Sequence, residues 1–298
     1  MLTRLRSIRA GWYLPIGMLA AIIGLLPWLI TGMRLPLQNL WAGASPTDMP
    51  LVLLPFSQYD LSLIVALLVT GSAIAGALAR FGRPKRSGIA RIALIVGVLV
   101  VQVFAIVQTA IAVSHGLSTS TMARLYLTAV VAGTIASILL GLGVLALIGL
   151  APVPGATIGI SIAAIAFVDW LSALLVPLRT STPILVLFNA IHWLPAVIVG
   201  LALAWCGIRT FGRAAAAIVS ILVLWIVPAA DTAAASATRS RVLAHDPTEM
   251  LAYGREVFAA ALWTPVLSLW PVVVAVVVMV LGLVARWVIR RRHVAPAA

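Results

Sequence analysis

Charge is what this sequence has least of. Only 9% of its 298 residues are Asp, Glu, Lys or Arg, against roughly a quarter in an ordinary soluble domain. Acids number seven, and lysine occurs once, at Lys85. With 63% hydrophobic residues and a mean hydropathy of +1.17, the chain has more apolar surface than a water-soluble fold can hide. The bilayer has to serve as its solvent. Cysteine is nearly absent too. Cys206 stands alone in an apolar run, which excludes a disulfide framework and a cysteine-based metal site. The four histidines (115, 192, 245 and 293) form no pair at helical ligand spacing, so no metal and no cofactor is expected. There is no Gly-x-Ser-x-Gly, no phosphate-binding glycine loop and no His-Glu-x-x-His, which removes the familiar hydrolase, nucleotide and zinc-protease chemistries.

What is present is a succession of apolar runs of about 20 residues, the length that crosses a hydrocarbon core. They predict an all-α integral membrane protein, a single polytopic domain over 1–298. The spans fall at about 11–32, 61–79, 92–113, 125–149, 156–176, 185–207, 214–230 and 266–288. The Ala151-Pro152-Val153-Pro154-Gly155 break divides spans four and five. Arg4, Arg6 and Arg9 precede the first run. That run is longer than a secretory core and lacks a small-residue cleavage site, so it reads as a retained span.

The net charge of +13 points to the membrane rather than to nucleic acid, because Lys and Arg gather in cytoplasmic loops. With the N-terminus inside, inner segments hold Arg4, Arg6, Arg9, Arg80, Arg83, Lys85, Arg86, Arg91, Arg209, Arg213, Arg286, Arg290, Arg291 and Arg292, which is 14 of 20 basic residues. No acid falls in an inner loop. Both termini are therefore expected in the cytoplasm of a multi-pass plasma-membrane protein. The clusters at 80–91 and 286–292 should attract anionic headgroups. Trp12, Tyr13, Trp28, Trp41, Tyr59, Trp263, Trp270 and Trp287 lie near span ends, as interfacial aromatics do.

Phe81-Gly82-Arg83 recurs as Phe211-Gly212-Arg213, and Leu35-Pro36-Leu37 resembles Val176-Pro177-Leu178. An even number of spans separates the copies, so a duplication would give two parallel four-helix repeats, 1–150 and 151–298. Small residues recur every four positions at Ala129, Gly133, Ser137 and Gly141, and again at Gly155, Gly159 and Ala163. Such stripes let helices approach closely, and here they suggest a tight hairpin of spans four and five.

Polar groups inside the spans are the functional candidates, since ionisable groups are costly in lipid. Asp169 lies in span five, and Asn189 and His192 lie in span six. All three should sit roughly 8–12 Å below the outer surface. A carboxylate beside an imidazole can exchange protons, and Arg179 in the joining loop could pair with Asp169. Gln102 and Gln108 in span three are expected to bridge helices.

Two long outer segments remain. Residues 33–60 are proline-rich yet apolar and should dip into the interface or cover the outer mouth, more as a packed surface loop than as a lid, with Asp60 capping span two. Residues 231–265 carry Asp246-Pro247-Thr248-Glu249, a helix start. The following amphipathic helix, 247–262, is expected on the outer leaflet, where it could dock a membrane partner. Three function classes fit: a small-solute or ion transporter or channel, a non-catalytic subunit or assembly factor of a cell-envelope complex, and an enzyme acting on lipid-linked substrates.

Overall fold

The computed structural model describes residues 10–38, 40–42, 49–82, 88–178, 182–240 and 246–294. Arg4, Arg6, Arg9, Pro46, Asp48, Arg83, Lys85, Arg86, Arg179 and Arg241 lie outside them. Among the described residues the regular structure is helical, with no strand beyond isolated bridges. Eight helical stretches are long and apolar enough to cross a membrane. The chain divides into two compact units, Met1–Leu150 and Ala151–Ala298.

Unit 1 contains α1 (Tyr13–Ile30), α2 (Leu61–Phe81), α3 (Gly88–Gly116) and α4 (Thr121–Gly149). Each matches an expected span to within a few residues, because uninterrupted apolar length leaves the backbone no alternative to helix in lipid. The heaviest packing joins α2 to α4, then α1 to α3, then α1 to α2. The spatial order is thus α3–α1–α2–α4. Glycines set these crossings. A Cβ on Gly17 would lie 2.2 Å from the Leu94 carbonyl oxygen, and one on Gly97 would lie 2.2 Å from that of Leu14. Gly24 meets Gly71 in the same way, its Cβ position 2.6 Å from the Gly71 Cα. Between α2 and α4, Gly141 faces Ser72, Gly76 faces Leu145 and Gly149 faces Ala79. The residue numbers rise together, so these helices run parallel.

The small stripe on α4 is only partly used. Ser137 and Gly141 are buried, whereas Ala129 and Gly133 are exposed and a Cβ on Gly133 would meet nothing. Four residues advance about 400° around a helix, so a strict four-residue stripe drifts about 40° per step off any one face. The buried face instead runs through Val130, Thr134, Ser137, Gly141, Val144 and Ile148. It is spent on α2 within unit 1, a different neighbour from the one expected.

The 33–60 connection folds into the end of unit 1. Leu35, Val52, Leu54, Phe56 and Ser57 are all buried. An antiparallel bridge joins Arg34 to Leu51, with Leu35 N–H donating to the Pro50 carbonyl and Val52 N–H to that of Met33. Asp60 precedes α2 as expected but makes no side-chain cap hydrogen bond to it.

Unit 2 contains α5 (Val153–Leu175), α6 (Thr182–Ile191), α7 (Leu194–Cys206), α8 (Phe211–Arg239), α9 (Pro247–Leu262) and α10 (Trp270–Val294). The expected sixth span is broken at His192-Trp193 into α6 and α7, with Pro195 in the first turn of α7. A proline there lacks only an N–H the helix start leaves unused, so the break costs little. α8 continues past the expected end at 230 to Arg239. A five-residue π-helical turn, Pro265–Leu269, leads into α10. The packing is α7 on α10, α8 on α9, α5 on α8 and α5 on α7. α7 and α10 run parallel, with Gly200 against Val278 and Gly282 against Ala204. The expected start of α9 is present, Asp246 Oδ1 accepting from Thr248 N–H at 2.9 Å and Glu249 N–H at 3.1 Å.

Candidate functional site

Asp169 lies on α5 and is half-buried. By helix rise it is about 24 Å from the start of α5 and about 9 Å from its end. The residue after it, Trp170, is buried and stacks on Phe167 with ring centroids 5.6 Å apart. The charged neighbour acting on Asp169 is Asp231, also half-buried, on α8. Sequence reading placed Asp231 in an outer loop. It belongs instead to a helix packed along α5, because the Ala-rich run Asp231–Arg239 extends α8 although it is too polar to count as a span.

Of the other expected members, neither His192 nor Asn189 is hydrogen-bonded to this carboxylate. His192 stands at the break between α6 and α7, with Nε2 3.2 Å from the Val266 carbonyl oxygen and its ring edge-on to Trp193. It forms no hydrogen bond with Asp169. Asn189 is exposed, and Arg179 lies outside the described residues. Equal depth had suggested contact between Asp169 and His192, but depth does not fix the direction a side chain takes around its helix. Gly159 is buried in α5 and Gly155 is partly buried.

Unit 1 holds a separate set of polar groups. Gln102 is 1% exposed, and its Nε2 donates to the Leu68 carbonyl at 2.9 Å and to Ser72 Oγ at 3.2 Å. It bridges α3 to α2, as anticipated, while its Oε1 accepts no hydrogen bond. Gln108 does not bridge helices as expected; it ties α3 to the extended 51–53 segment. Its Oε1 accepts from Leu53 N–H at 3.0 Å and its Nε2 donates to the Leu51 carbonyl at 2.9 Å. One side-chain amide thus pairs the free edge of an extended segment as a neighbouring strand would. Thr109 Oγ1 accepts the next N–H, from Leu54, at 3.0 Å.

Trp28 Nε1 donates to the Val52 carbonyl at 2.8 Å, and Gln38 donates to Phe56 and accepts from the Tyr126 hydroxyl, each at 2.8 Å. Gln38, Ser57, Tyr59 and Tyr126 line a recess of about 20 Å³. That is room for a single water and no larger ligand. Sequence reading missed Thr109, Gln38 and Tyr126, since backbone pairing by side chains leaves no pattern in composition or spacing.

Two arginines tie parallel helices. Arg80 donates to the Ile148 carbonyl at the end of α4, at 2.7 Å. Arg286 of α10 donates to the carbonyls of Ala204 and Trp205 at the end of α7. Each supplies a donor to carbonyls that a helix end leaves unmatched. Arg291 stacks over Trp287, 3.8 Å from the ring centroid. Among the described residues, no group of three or more metal-ligating side chains occurs.

Comparison with protein-family models, curated proteins and solved structures finds no match to this chain.

Proposed function

We propose that the chain is a plasma-membrane transporter or channel for a small solute or ion. In this reading it consists of two parallel four-helix halves, with both termini in the cytoplasm and the working carboxylate at Asp169. The observation that carries the reading is the half-buried Asp169 inside an apolar span, acted on by a second acid, Asp231, on the adjacent α8. An ionised carboxylate inside an apolar span is costly and is kept mainly where it is used. A proton or a small cation at Asp169 relieves its desolvation and its repulsion by Asp231. Such a site can load on one side and unload on the other.

Two facts support the duplication. With α9 set aside, the packing order α3–α1–α2–α4 in unit 1 corresponds to α8–α5–α7–α10 in unit 2. The contacts correspond in detail: Leu145 and Gly149 of α4 meet Gly76 and Ala79 of α2, and Val278 and Gly282 of α10 meet Gly200 and Ala204 of α7. The Phe-Gly-Arg match lends less, since Phe81 ends α2 whereas Phe211 begins α8. The charge bias supports the orientation. It also supports anionic headgroups as partners of Arg286, Arg290 and Arg291.

Proteoliposomes with a trapped pH dye test the reading. Under imposed proton and potassium gradients, wild-type protein is expected to collapse the pH difference faster than empty vesicles. Asp169→Asn should fall to the empty-vesicle rate and Asp169→Glu should retain flux. An Asn variant as active as wild type, or wild type no faster than empty vesicles, refutes it.

A second reading, a non-catalytic membrane subunit, has its own support. The apolar stretch of Pro265–Arg291 is only 6% buried, against 28–56% for the other seven. A partner helix would cover it, and α9 offers an adjoining contact. A stoichiometric partner co-purifying in mild detergent, and lost on substituting Val277 and Leu281 by Trp, would favour this reading over transport.

A further inference from the structure

The connection between α8 and α10 is built to enter the membrane. α9 does not lie free on a surface; it runs antiparallel down α8. A Cβ on Gly254 would sit 3.5 Å from the Ala237 Cβ, and further on Trp225 Nε1 donates to the Leu262 carbonyl at 3.0 Å. Between those two contacts the chain retreats roughly 12–18 Å along α8, from the helix rise on either side.

Polarity changes along α9 rather than only around it. Asp246 caps it, Glu249 lies in its first turn, and Arg255 and Glu256 stand just past its middle. Val257-Phe258-Ala259-Ala260-Ala261-Leu262-Trp263 carries no charge, and neither does the turn that follows. The side chains exposed at the turn are large and apolar: Trp263 is 64% exposed, Val266 59% and Trp270 52%.

The backbone of this turn is the more telling feature. A helix end leaves its last four carbonyls without partners. In water the solvent bonds them, but in hydrocarbon each unmatched group costs several kcal/mol. Here side chains supply the donors. Thr264 Oγ1 donates to the Ala260 carbonyl at 2.9 Å, and the fully buried Ser268 Oγ to that of Ala261 at 2.8 Å. Trp225 takes the Leu262 carbonyl, and His192 Nε2 lies 3.2 Å from that of Val266. Three side chains thus reach carbonyls at the end of α9, where Ala261 also accepts from Thr264 N–H, and a fourth reaches the turn itself, so water need supply none of these bonds.

We infer that residues 247–270 enter the membrane as the broken first part of the last crossing. α9 enters the leaflet at the Arg239 end of α8 with its charged start among the headgroups, and the 263–268 turn contacts acyl chains at the depth of Trp225. His192 acts here as a donor that closes the turn. The chain keeps its direction through the turn, since α9 runs antiparallel to α8 and α10 runs parallel to α7.

Single cysteines in a Cys206→Ala background test this. Positions 251 and 253 report the upper part of α9, and positions 263 and 266 report the turn. All four native side chains are exposed, and only Trp263→Cys gives up a packing contact, the edge-on ring of Trp225. Vesicles opened to reagent on both faces, with the bilayer intact, are treated with a charged maleimide. Leu251→Cys and Tyr253→Cys are expected to react at least ten-fold faster than Trp263→Cys and Val266→Cys, and detergent should abolish the difference. Spin labels at 263 and 266 should favour oxygen over a polar nickel chelate as relaxant. Labelling of 263 and 266 within two-fold of 251 in intact bilayers, or a nickel preference at 266, overturns the inference. The outcome is independent of whether Asp169 supports flux.

Discussion

Gly17→Ala in α1 is the sharpest test of how unit 1 is assembled. The added methyl would sit 2.2 Å from the Leu94 carbonyl oxygen and 3.1 Å from the Val98 nitrogen, both backbone atoms of α3. An ordinary carbon–oxygen contact is about 3.3 Å, so the axes must part by about 1 Å. α1 has little freedom to yield, because Gly24 holds it against Gly71 and the Leu67 carbonyl of α2. Over-packing a tight core costs roughly 1–3 kcal/mol. With backbone on both sides of the contact, the upper end, about 3 kcal/mol, applies. That corresponds to a shift of about 100-fold in the folded-to-unfolded ratio. Gly133→Ala on α4 is the matched control, since a Cβ there meets nothing within 4 Å. It should be neutral or gain up to about 1 kcal/mol from helix propensity. Reversible unfolding in mixed micelles of mild detergent and dodecyl sulfate, followed by tryptophan fluorescence, reads both. Equal midpoints for Gly17→Ala and Gly133→Ala would refute the close α1–α3 crossing.

Further expectations follow from the polar ties. Gln108→Ala removes both partners of the 51–53 edge, leaving one N–H and one carbonyl unmatched. It should cost about 1–3 kcal/mol, and protease sites within 33–57 should become cleavable in folded protein; unchanged proteolysis would contradict this role. Gln102→Leu keeps the volume and removes an oxygen that has no donor, together with the two Nε2 bonds to α2, so stability should fall by about 1–2 kcal/mol. A loss above about 3 kcal/mol would mean that Gln102 Oε1 has a partner in the membrane. Arg286→Gln should lower stability by about 1–2 kcal/mol through the lost bonds to the end of α7, read in the same unfolding assay, with no change for Arg290→Gln.

The spans were legible because length and apolarity suffice to specify them. Their neighbours were not. The depth of Asp169 and His192 follows from counting residues, but which helix each faces depends on azimuth and on breaks. The His192-Trp193 break moved one candidate to the Val266 carbonyl. α8 outran its hydropathy signal because alanine continues a helix where lipid no longer demands it, and that put Asp231 on a helix packed against α5, where its charge acts on Asp169. The small-residue stripe on α4 named the right kind of contact but half the wrong residues, because a four-residue step drifts around the helix. The fold of residues 33–57 depends on Gln108, Thr109, Trp28 and Tyr126 reaching backbone groups. Single polar residues within apolar runs carry no sign of such partners.

The proposed topology is eight crossings with both ends on one side. Reporter fusions after residues 45, 87, 245 and 298 test it directly. Fusions at 87 and 298 should report the cytoplasm, and those at 45 and 245 the opposite side. A reporter at 298 on the same side as the one at 45 would contradict the account.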